Sequence, residues 1–140
     1  MFGLFIDSHD AYYMVMEYIE KGCLKELLLA EKTMKKQEIY DIIISICKGM
    51  VYLESKGIMH RDLAARNILV SQINGKYSCV VADFGLSRET SEYKSEGSVI
   101  PVRWAAPEVI MHQTITSKAD VWSYAVVIHE VNIVSVQNVI

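Results

Sequence analysis

The stretch His60-Arg61-Asp62-Leu63-Ala64-Ala65-Arg66-Asn67 decides the fold, and the other motifs of the chain are placed relative to it. It sets an acid, Asp62, and an amide, Asn67, five residues apart in a segment that reads as a short loop. Two more motifs follow in order, Asp83-Phe84-Gly85 and Ala106-Pro107-Glu108. Each motif alone is weak, but the three in this order argue against coincidence.

This set of motifs resembles the catalytic half of a protein kinase domain. The insert Ala64-Ala65-Arg66 and the run Pro101-Val102-Arg103-Trp104 narrow the resemblance to the tyrosine-kinase branch. The resemblance implies an α+β fold with a mostly helical large lobe and a remnant of the small-lobe β-sheet, truncated at both ends. It implies that residues 1–18 are the end of the small lobe with the hinge, and that residues 19–140 are an incomplete large lobe.

The residue types suit phosphoryl transfer, which depends mainly on positioning and on neutralisation of charge. The resemblance implies that Asp62 accepts the proton of the substrate hydroxyl and that Arg66 orients this base and the phenol. Asn67 and Asp83 offer the hard oxygen ligands that Mg²⁺ prefers. The implied reaction moves the terminal phosphate of ATP to a protein tyrosine, with ATP and Mg²⁺ as the cofactors.

An adenine site is implied at the hinge. Met16 takes the gatekeeper position, Glu17 and Ile19 would present backbone groups to the adenine ring, and Leu69 would form the floor beneath it. The alternative for residues 12–18 is a buried, aromatic-rich strand with no binding role.

The polar segment Leu86–Ile100 has no useful period and is predicted to be a mobile loop. It matches the kinase activation segment, which implies that Tyr93 is a phosphorylation site. Arg61 is the expected partner of the phosphate, because an arginine forms a bidentate, charge-assisted contact. The alternative is that Tyr93 is a solvated loop tyrosine without a function.

The resemblance also assigns residues downstream of this segment. Pro101, Val102 and Trp104 would form a shelf for the residue that follows the substrate tyrosine, and Glu108 closes the segment. Asp120 would hold the backbone of the catalytic loop. A second reading of Asp120, compatible with the first, is an acid favoured by the dipole in the first turn of a helix.

Helical periodicity is clearest in the segment that leads into the catalytic loop. Its apolar positions are Ile39, Ile42, Ile43, Ile46, Met50 and Leu53. Lys56 and Gly57 mark its end. Leu24–Ala30 is predicted to be a short helix, and another helix is predicted to start at an N-cap, Ser117, and to run to Val131. Residues 132–140 show no clear period.

Strands are predicted on either side of two turns. Phe2–Ile6 and Ala11–Ile19 flank a polar turn, and residues 68–71 and 77–81 flank Asn74-Gly75, which is a strong hairpin signal. The second hairpin would bring the Asn67 and Asp83 ends together, as two ligands of one magnesium site require.

The composition of the chain limits which binding partners and which cellular compartment are expected. The 140 residues suit one small domain, and the formal net charge of −3 argues against nucleic acid as the main partner. The three cysteines have no metal-binding spacing and fit a reducing interior. No apolar run is long enough to span a bilayer. The expected partners are tyrosine-containing protein substrates and ATP, in the cytoplasm or in the intracellular part of a membrane receptor.

The chain departs from the family pattern in two ways. No Gly-x-Gly-x-x-Gly occurs, and no Val-Ala-x-Lys precedes the hinge. The resemblance is expected to cover residues 1–131, the middle of a kinase domain. Two hypotheses stay open: a tyrosine kinase of which this is a partial copy, and a non-catalytic, pseudokinase-like interaction or decoy module. The intact Asp62, Asn67 and Asp83 favour the first, and the missing lysine and glycine loop favour the second for this chain in isolation.

Overall fold

The computed structural model describes residues 2–31, 33–87, 92–94, 100–112 and 114–136. Within these ranges the chain has an α+β fold, as predicted. The helices are α1 Leu24–Ala30, α2 Lys36–Ser55, α3 Pro107–His112 and α4 Ser117–Val136, with a 3-10 turn at Ala65–Asn67. The strands are β1 Gly3–Ile6, β2 Tyr12–Val15, β3 Ile68–Ile73, β4 Lys76–Val81, β5 Glu92–Lys94 and β6 Thr114–Thr116. None of the described helices has the length and apolar character needed to cross a membrane.

The first hairpin is shorter than its sequence suggests. β1 and β2 pair antiparallel with Leu4 opposite Met14, and β2 ends at Val15 rather than at Ile19 as predicted. The last hydrogen bond of this pairing among the described residues joins the N–H of Phe2 to the Val15 carbonyl at 2.8 Å. The idea of a buried aromatic strand is also wrong, because every residue of β2 is exposed.

The hairpin around Asn74-Gly75 is confirmed. Asn74 and Gly75 have φ angles of +51° and +79°, the left-handed values that a two-residue hairpin turn needs. β3 and β4 pair from Ile68 opposite Val81 to Ile73 opposite Lys76. Both strands therefore reach the turn itself, further than predicted, because a two-residue turn lets the ladder close completely.

The long helix and the short helix are confirmed. α1 has the predicted bounds, and α2 buries Ile39, Ile42, Ile46 and Leu53 on one face. Gly57 follows α2 with a φ of +69°, as expected for a residue that ends a helix. The main core joins α1, α2, β3, β4 and α4. It includes Leu24, Ile42, Ile46, Ile68, Val70, Val127 and Val131, all with no exposed surface.

The start and the end of α4 differ from the prediction. Thr116, not Ser117, caps the helix, because its hydroxyl oxygen accepts the backbone N–H of Lys118 at 3.3 Å. Residues 132–136 continue the helix, so the lack of period after Val131 did not mark its end. Residues 137–140 lie outside the described residues.

One face of α4 is buried and the other is open to solvent. Asp120, Val127 and Val131 are buried, whereas Val121 is 58% exposed. Val121 is one residue away from Asp120 and so lies about 100° round the helix, away from the core.

Two short strands and α3 have no counterpart in the predictions. The predicted loop Leu86–Ile100 contains β5, which pairs with β6 so that Tyr93 lies opposite Ile115. Residues 88–91 and 95–99 of that predicted loop lie outside the described residues. Strands of three residues carry too few positions for a periodic signal.

Candidate active site

The Asp62 carboxylate lies at the centre of the site, and both of its oxygens are engaged. One oxygen forms an ion pair with Arg66, four residues later. The other accepts the Asn67 side-chain N–H at 2.8 Å, and the same nitrogen donates to the Asp62 carbonyl at 2.7 Å. These contacts fix the orientation of the carboxylate, whose side chain remains 16% exposed.

The backbone before Asp62 is held by α4. The two oxygens of Asp120 accept the backbone N–H groups of His60 at 2.7 Å and of Arg61 at 2.9 Å. Burial raises the pKa of Asp120, while these N–H bonds act in the opposite direction. Arg61 has a φ of +70°. A residue other than glycine costs roughly 1–3 kcal/mol in this region, so the contact with Asp120 helps to hold a strained turn.

His60 ties the loop to the chain that leads into Asp83. Its Nδ1 accepts the Asp62 N–H at 3.3 Å, and its Nε2 lies 3.0 Å from the Ala82 carbonyl. These partners assign the proton to Nε2. The ring is fully buried and lies 5.3 Å from the Phe84 ring. His60 is part of the first sequence motif, but the motif alone predicts no role for it.

Asn67 and Asp83 lie at the open end of the β3–β4 hairpin. The Ala82 N–H donates to the Asn67 carbonyl at 2.9 Å, one step beyond the last strand pair. Asp83 is exposed, with a φ of +61°, and its carboxylate accepts the Gly85 N–H at 3.2 Å. Because Asn67 uses its amide nitrogen on Asp62, its amide oxygen is the atom left for a cation.

This donor set fits a magnesium ion. Mg²⁺ keeps several waters and needs only one or two carboxylate or amide oxygens besides substrate phosphates. A cage of protein ligands is a different kind of site, and the described residues contain no group of three or more His, Cys, Asp or Glu that could form one. Asn67 and Asp83 carry oxygens that could serve as such ligands.

The segment after β2 is joined to β3. The Lys21 N–H donates to the Val70 carbonyl at 3.1 Å, and the Val70 N–H donates to the Gly22 carbonyl at 2.9 Å. Cys23 forms an isolated bridge with Leu69. This pairing places Lys21, Gly22 and Cys23, which follow the expected hinge in the chain, beside β3, where Leu69 is partly buried.

The other expected adenine residues are more open. Ile19 is partly buried, but Glu17 is exposed and Met16 is 61% exposed. The structure thus pairs the residues after the hinge with β3 and leaves Met16 and Glu17 at the surface.

Arg61 reaches the start of the segment that contains Tyr93. Its Nη1 donates to the Leu86 carbonyl at 3.0 Å. The backbone of Tyr93 lies in β5, and its side chain is outside the described residues. The expected contact between Arg61 and a phosphate on Tyr93 therefore remains a prediction.

The expected substrate shelf lies beside Arg66. Pro101 starts a turn in which its carbonyl accepts the Trp104 N–H at 2.9 Å, and Val102 is exposed on that turn. The Arg66 guanidinium carbon lies 4.3 Å from the centre of the Trp104 ring. Glu108 is exposed in the first turn of α3.

Two polar residues of α4 were missed by the sequence reading. An oxygen of Glu130 accepts the Ala65 N–H at 3.1 Å and the Trp104 indole N–H at 3.0 Å. The Ser123 hydroxyl lies 2.9 Å from the Trp104 carbonyl. Ser123 and Glu130 follow Asp120 by three and ten residues, so helical spacing places all three near one face and could have found them.

A family model and several curated relatives match this chain. The family model described as "protein tyrosine and serine/threonine kinase" matches residues 1–138. The similarity therefore extends beyond residue 131, where it was expected to end.

The relatives in curated collections include tyrosine kinases from human and mouse. Human protein-tyrosine kinase 6 is 43% identical over 125 residues, which cover 86% of this chain and 27% of the relative. Human tyrosine-protein kinase TXK is 42% identical over 125 residues, which cover 85% of this chain and 23% of the relative. Mouse protein-tyrosine kinase 6 is 41% identical over 126 residues, which cover 87% of this chain and 27% of the relative. The matched part of the chain spans about a quarter of the length of these relatives.

Proposed function

This chain belongs to the protein tyrosine and serine/threonine kinase family, and we propose that it carries the catalytic loop of an ATP-dependent protein-tyrosine kinase. The proposed reaction transfers the terminal phosphate of ATP to a tyrosine hydroxyl of a protein substrate. The observation that supports it is the Asp62 carboxylate, which is oriented by Arg66 and Asn67 and yet accessible.

In this reaction Asp62 acts as the base. The tyrosine oxygen forms the new bond to phosphorus, the bond to the leaving ADP breaks, and the hydroxyl proton passes to Asp62. Arg66 keeps the carboxylate in place and offers N–H donors near the phenol. Asn67 and Asp83 would hold Mg²⁺, which when bound neutralises charge on the phosphates.

The choice of tyrosine as acceptor is proposed from the insert in the loop. Serine/threonine kinases usually carry a lysine two residues after the catalytic acid, where this chain has Ala64. The cation of this chain comes later, at Arg66, and lies over the Trp104 ring. A phenol is longer than a serine side chain, so its hydroxyl calls for a differently placed cation.

The remaining contacts of the proposed kinase follow the family pattern. We assign adenine binding to the Met16–Ile19 segment and Leu69, and the substrate shelf to Pro101, Val102 and Trp104. Because ATP is the phosphate donor, the reaction would take place in the cytoplasm or in the intracellular part of a membrane receptor.

A segment exchange tests the proposal. Residues 1–138 would replace the matching segment of human protein-tyrosine kinase 6, so that the rest of a kinase surrounds them. We call this product the exchange protein. It should phosphorylate a tyrosine-containing polymer, and its Asp62→Asn variant should not. Phosphoamino-acid analysis should show mainly phosphotyrosine, and mainly phosphoserine or phosphothreonine would overturn the assignment of the acceptor.

A second candidate function is a non-catalytic interaction module. The observation in its favour is the β1–β2 hairpin, which exposes Phe2, Leu4, Tyr12 and Met14 by 58% to 75%. Large exposed apolar patches favour binding to a partner. A folded exchange protein that transfers no phosphate would favour this second function.

A further inference from the structure

Glu130 lies in α4, ten residues after Asp120, outside the motifs that carry the proposed chemistry. One of its carboxylate oxygens accepts two hydrogen bonds, from the Ala65 N–H at 3.1 Å and from the Trp104 indole N–H at 3.0 Å. One acid thus connects two segments that are about 40 residues apart in the chain.

Both segments meet at Arg66. Ala65 immediately precedes Arg66 and is buried, so its N–H has no ready access to water. The Trp104 ring lies under the Arg66 guanidinium at 4.3 Å, a distance at which a cation is attracted by an aromatic face. Arg66 in turn forms the ion pair with Asp62.

Trp104 is fixed to α4 at two points. Ser123 contacts its backbone carbonyl at 2.9 Å, and Glu130 accepts its indole N–H. Hydrogen bonds to an ionised acceptor are shorter and stronger than neutral ones. The Trp104 ring is therefore a fixed surface beneath Arg66. The Arg66 side chain is 34% exposed and is also held by its ion pair with Asp62.

We propose that Glu130 is a positioning residue for the tyrosine acceptor: it sets the Arg66 guanidinium, through Ala65 and Trp104, at the angle required beside Asp62. This inference rests on the proposed kinase function. It predicts that loss of the acceptor oxygen lowers kcat/KM for the protein substrate and leaves the KM for ATP unchanged.

The first test needs no turnover and uses the 140-residue chain. A Trp122→Phe background leaves Trp104 as the sole indole. In ¹⁵N-labelled protein, Glu130→Leu should move the Trp104 indole and Ala65 amide signals upfield and speed their exchange with solvent. Glu130→Gln keeps an acceptor oxygen and should retain both signals. His129→Leu, an exposed neighbour on α4, is the matched control.

The second test measures kinetics in the exchange protein. Glu130→Leu should lower kcat/KM for a tyrosine peptide about tenfold to a hundredfold, since small misplacements of catalytic groups have effects of this size. The KM for ATP should not change, and Glu130→Gln should recover most of the loss. Trp104→Phe keeps an aromatic ring but removes the indole N–H donor. Its kcat/KM for the peptide should lie between those of the parent and of Glu130→Leu, and it can be measured even where Glu130→Leu does not fold.

Two results would overturn the inference. One is a Glu130→Leu spectrum in which the Trp104 and Ala65 signals keep their positions. The other is a rise in the KM for ATP as large as the rise in the KM for peptide, which would indicate a general structural role. An inactive unsubstituted exchange protein would count against the kinase function alone, because the NMR comparison decides the contacts of Glu130 without turnover.

Discussion

Asn67 donates its side-chain N–H to the Asp62 carboxylate at 2.8 Å, and this contact leaves its amide oxygen for a metal ion. One residue thus serves both the base and the proposed Mg²⁺ site. Replacing it by an acid separates these roles, because a carboxylate keeps an oxygen ligand but cannot donate to Asp62.

In the exchange protein, Asn67→Asp should lower kcat at pH 7 by about 10²-fold or more, the range expected when a general base is compromised. Two adjacent carboxylates raise the pKa of one of them, so the residual rate should recover as the pH rises. Asn74→Asp, in the hairpin turn, is the control. A kcat within threefold of the parent, measured from initial rates at saturating Mg²⁺, would contradict this role for Asn67.

Asp120→Asn should destabilise the 140-residue chain. The side-chain amide has one oxygen for two backbone donors, so its NH₂ group must face the N–H of either His60 or Arg61. A buried donor left without an acceptor costs about 1–3 kcal/mol. Urea unfolding followed by circular dichroism should show a lower midpoint. Asp10→Asn, in an exposed turn with φ of +60°, should leave the midpoint unchanged.

Cys79 should resist alkylation in the folded chain. It is buried on β4, and burial raises the pKa of its thiol to about 12. Since the thiolate is the reactive form, its modification by iodoacetamide should be very slow between about pH 7 and 9 and should accelerate only as the pH approaches the raised pKa. Peptide mass spectrometry should show Cys23, which is partly buried, modified before Cys79.

The control for this prediction is chemical unfolding. In urea, Cys79 and Cys23 should react at similar rates, because the burial that separates them is lost. The Ser45 hydroxyl both accepts the Cys79 N–H at 2.8 Å and donates to its carbonyl at 3.1 Å. Ser45→Ala should therefore speed alkylation of Cys79 in the absence of urea. Equal alkylation rates for Cys23 and Cys79 in the native chain would mean that the α2–β4 core is not formed.

The sequence predicted elements well where one local signal was enough. α1 was predicted with its bounds, α2 from one apolar face, and the β3–β4 hairpin from Asn74-Gly75. The short pair β5–β6 was missed because its stability comes from contact between segments about twenty residues apart, which no local period records. The cap of α4 was misplaced by one residue because Thr116 and Ser117 are both good capping residues.

The motif residues of the candidate site and Asp120 could be quoted from the sequence, but most of the contacts that hold the motifs could not. Ser123 and Glu130 act through the tertiary approach of α4 to the catalytic loop, and only their helical spacing from Asp120 indicates them. The His60 ring acts through Asp62 and Ala82, a contact that no spacing of the motifs requires. The exposure of Met16 could not be read from its apolar neighbours either, because burial depends on which elements cover a strand rather than on its composition.

Phosphorylation of Tyr93 should activate the exchange protein. A phosphate there would add negative charge and strong acceptor oxygens close in sequence to Leu86, whose carbonyl contacts Arg61. Pairing with Arg61 would order the segment, so Tyr93→Phe should lower activity without changing the melting temperature. Tyr52→Phe, an exposed tyrosine on α2, is the control. Equal rates for Tyr93→Phe and a parent shown by mass spectrometry to carry phosphate at Tyr93 would exclude this switch.

A polypeptide of residues 1–140 alone should transfer no measurable phosphate. The family holds the ATP phosphates with a glycine-rich loop and a lysine as well as Mg²⁺, and this sequence contains neither the loop nor the lysine motif before the hinge. Met16, expected at the adenine, is 61% exposed, so a bound nucleotide would be open to water. Electrostatic stabilisation of a transition state is strongest where water is excluded.

The measurement is transfer of radiolabelled phosphate from Mg-ATP to a tyrosine-containing polymer, with Asp62→Asn as the blank. The two preparations should be indistinguishable, while the exchange protein assayed beside them should be active, because the rest of a kinase surrounds the exchanged residues. Turnover by residues 1–140 clearly above the blank would show instead that Asp62, Asn67 and Asp83 can bind and use Mg-ATP without those elements. The contacts that hold the catalytic loop to α4 would then be sufficient for catalysis.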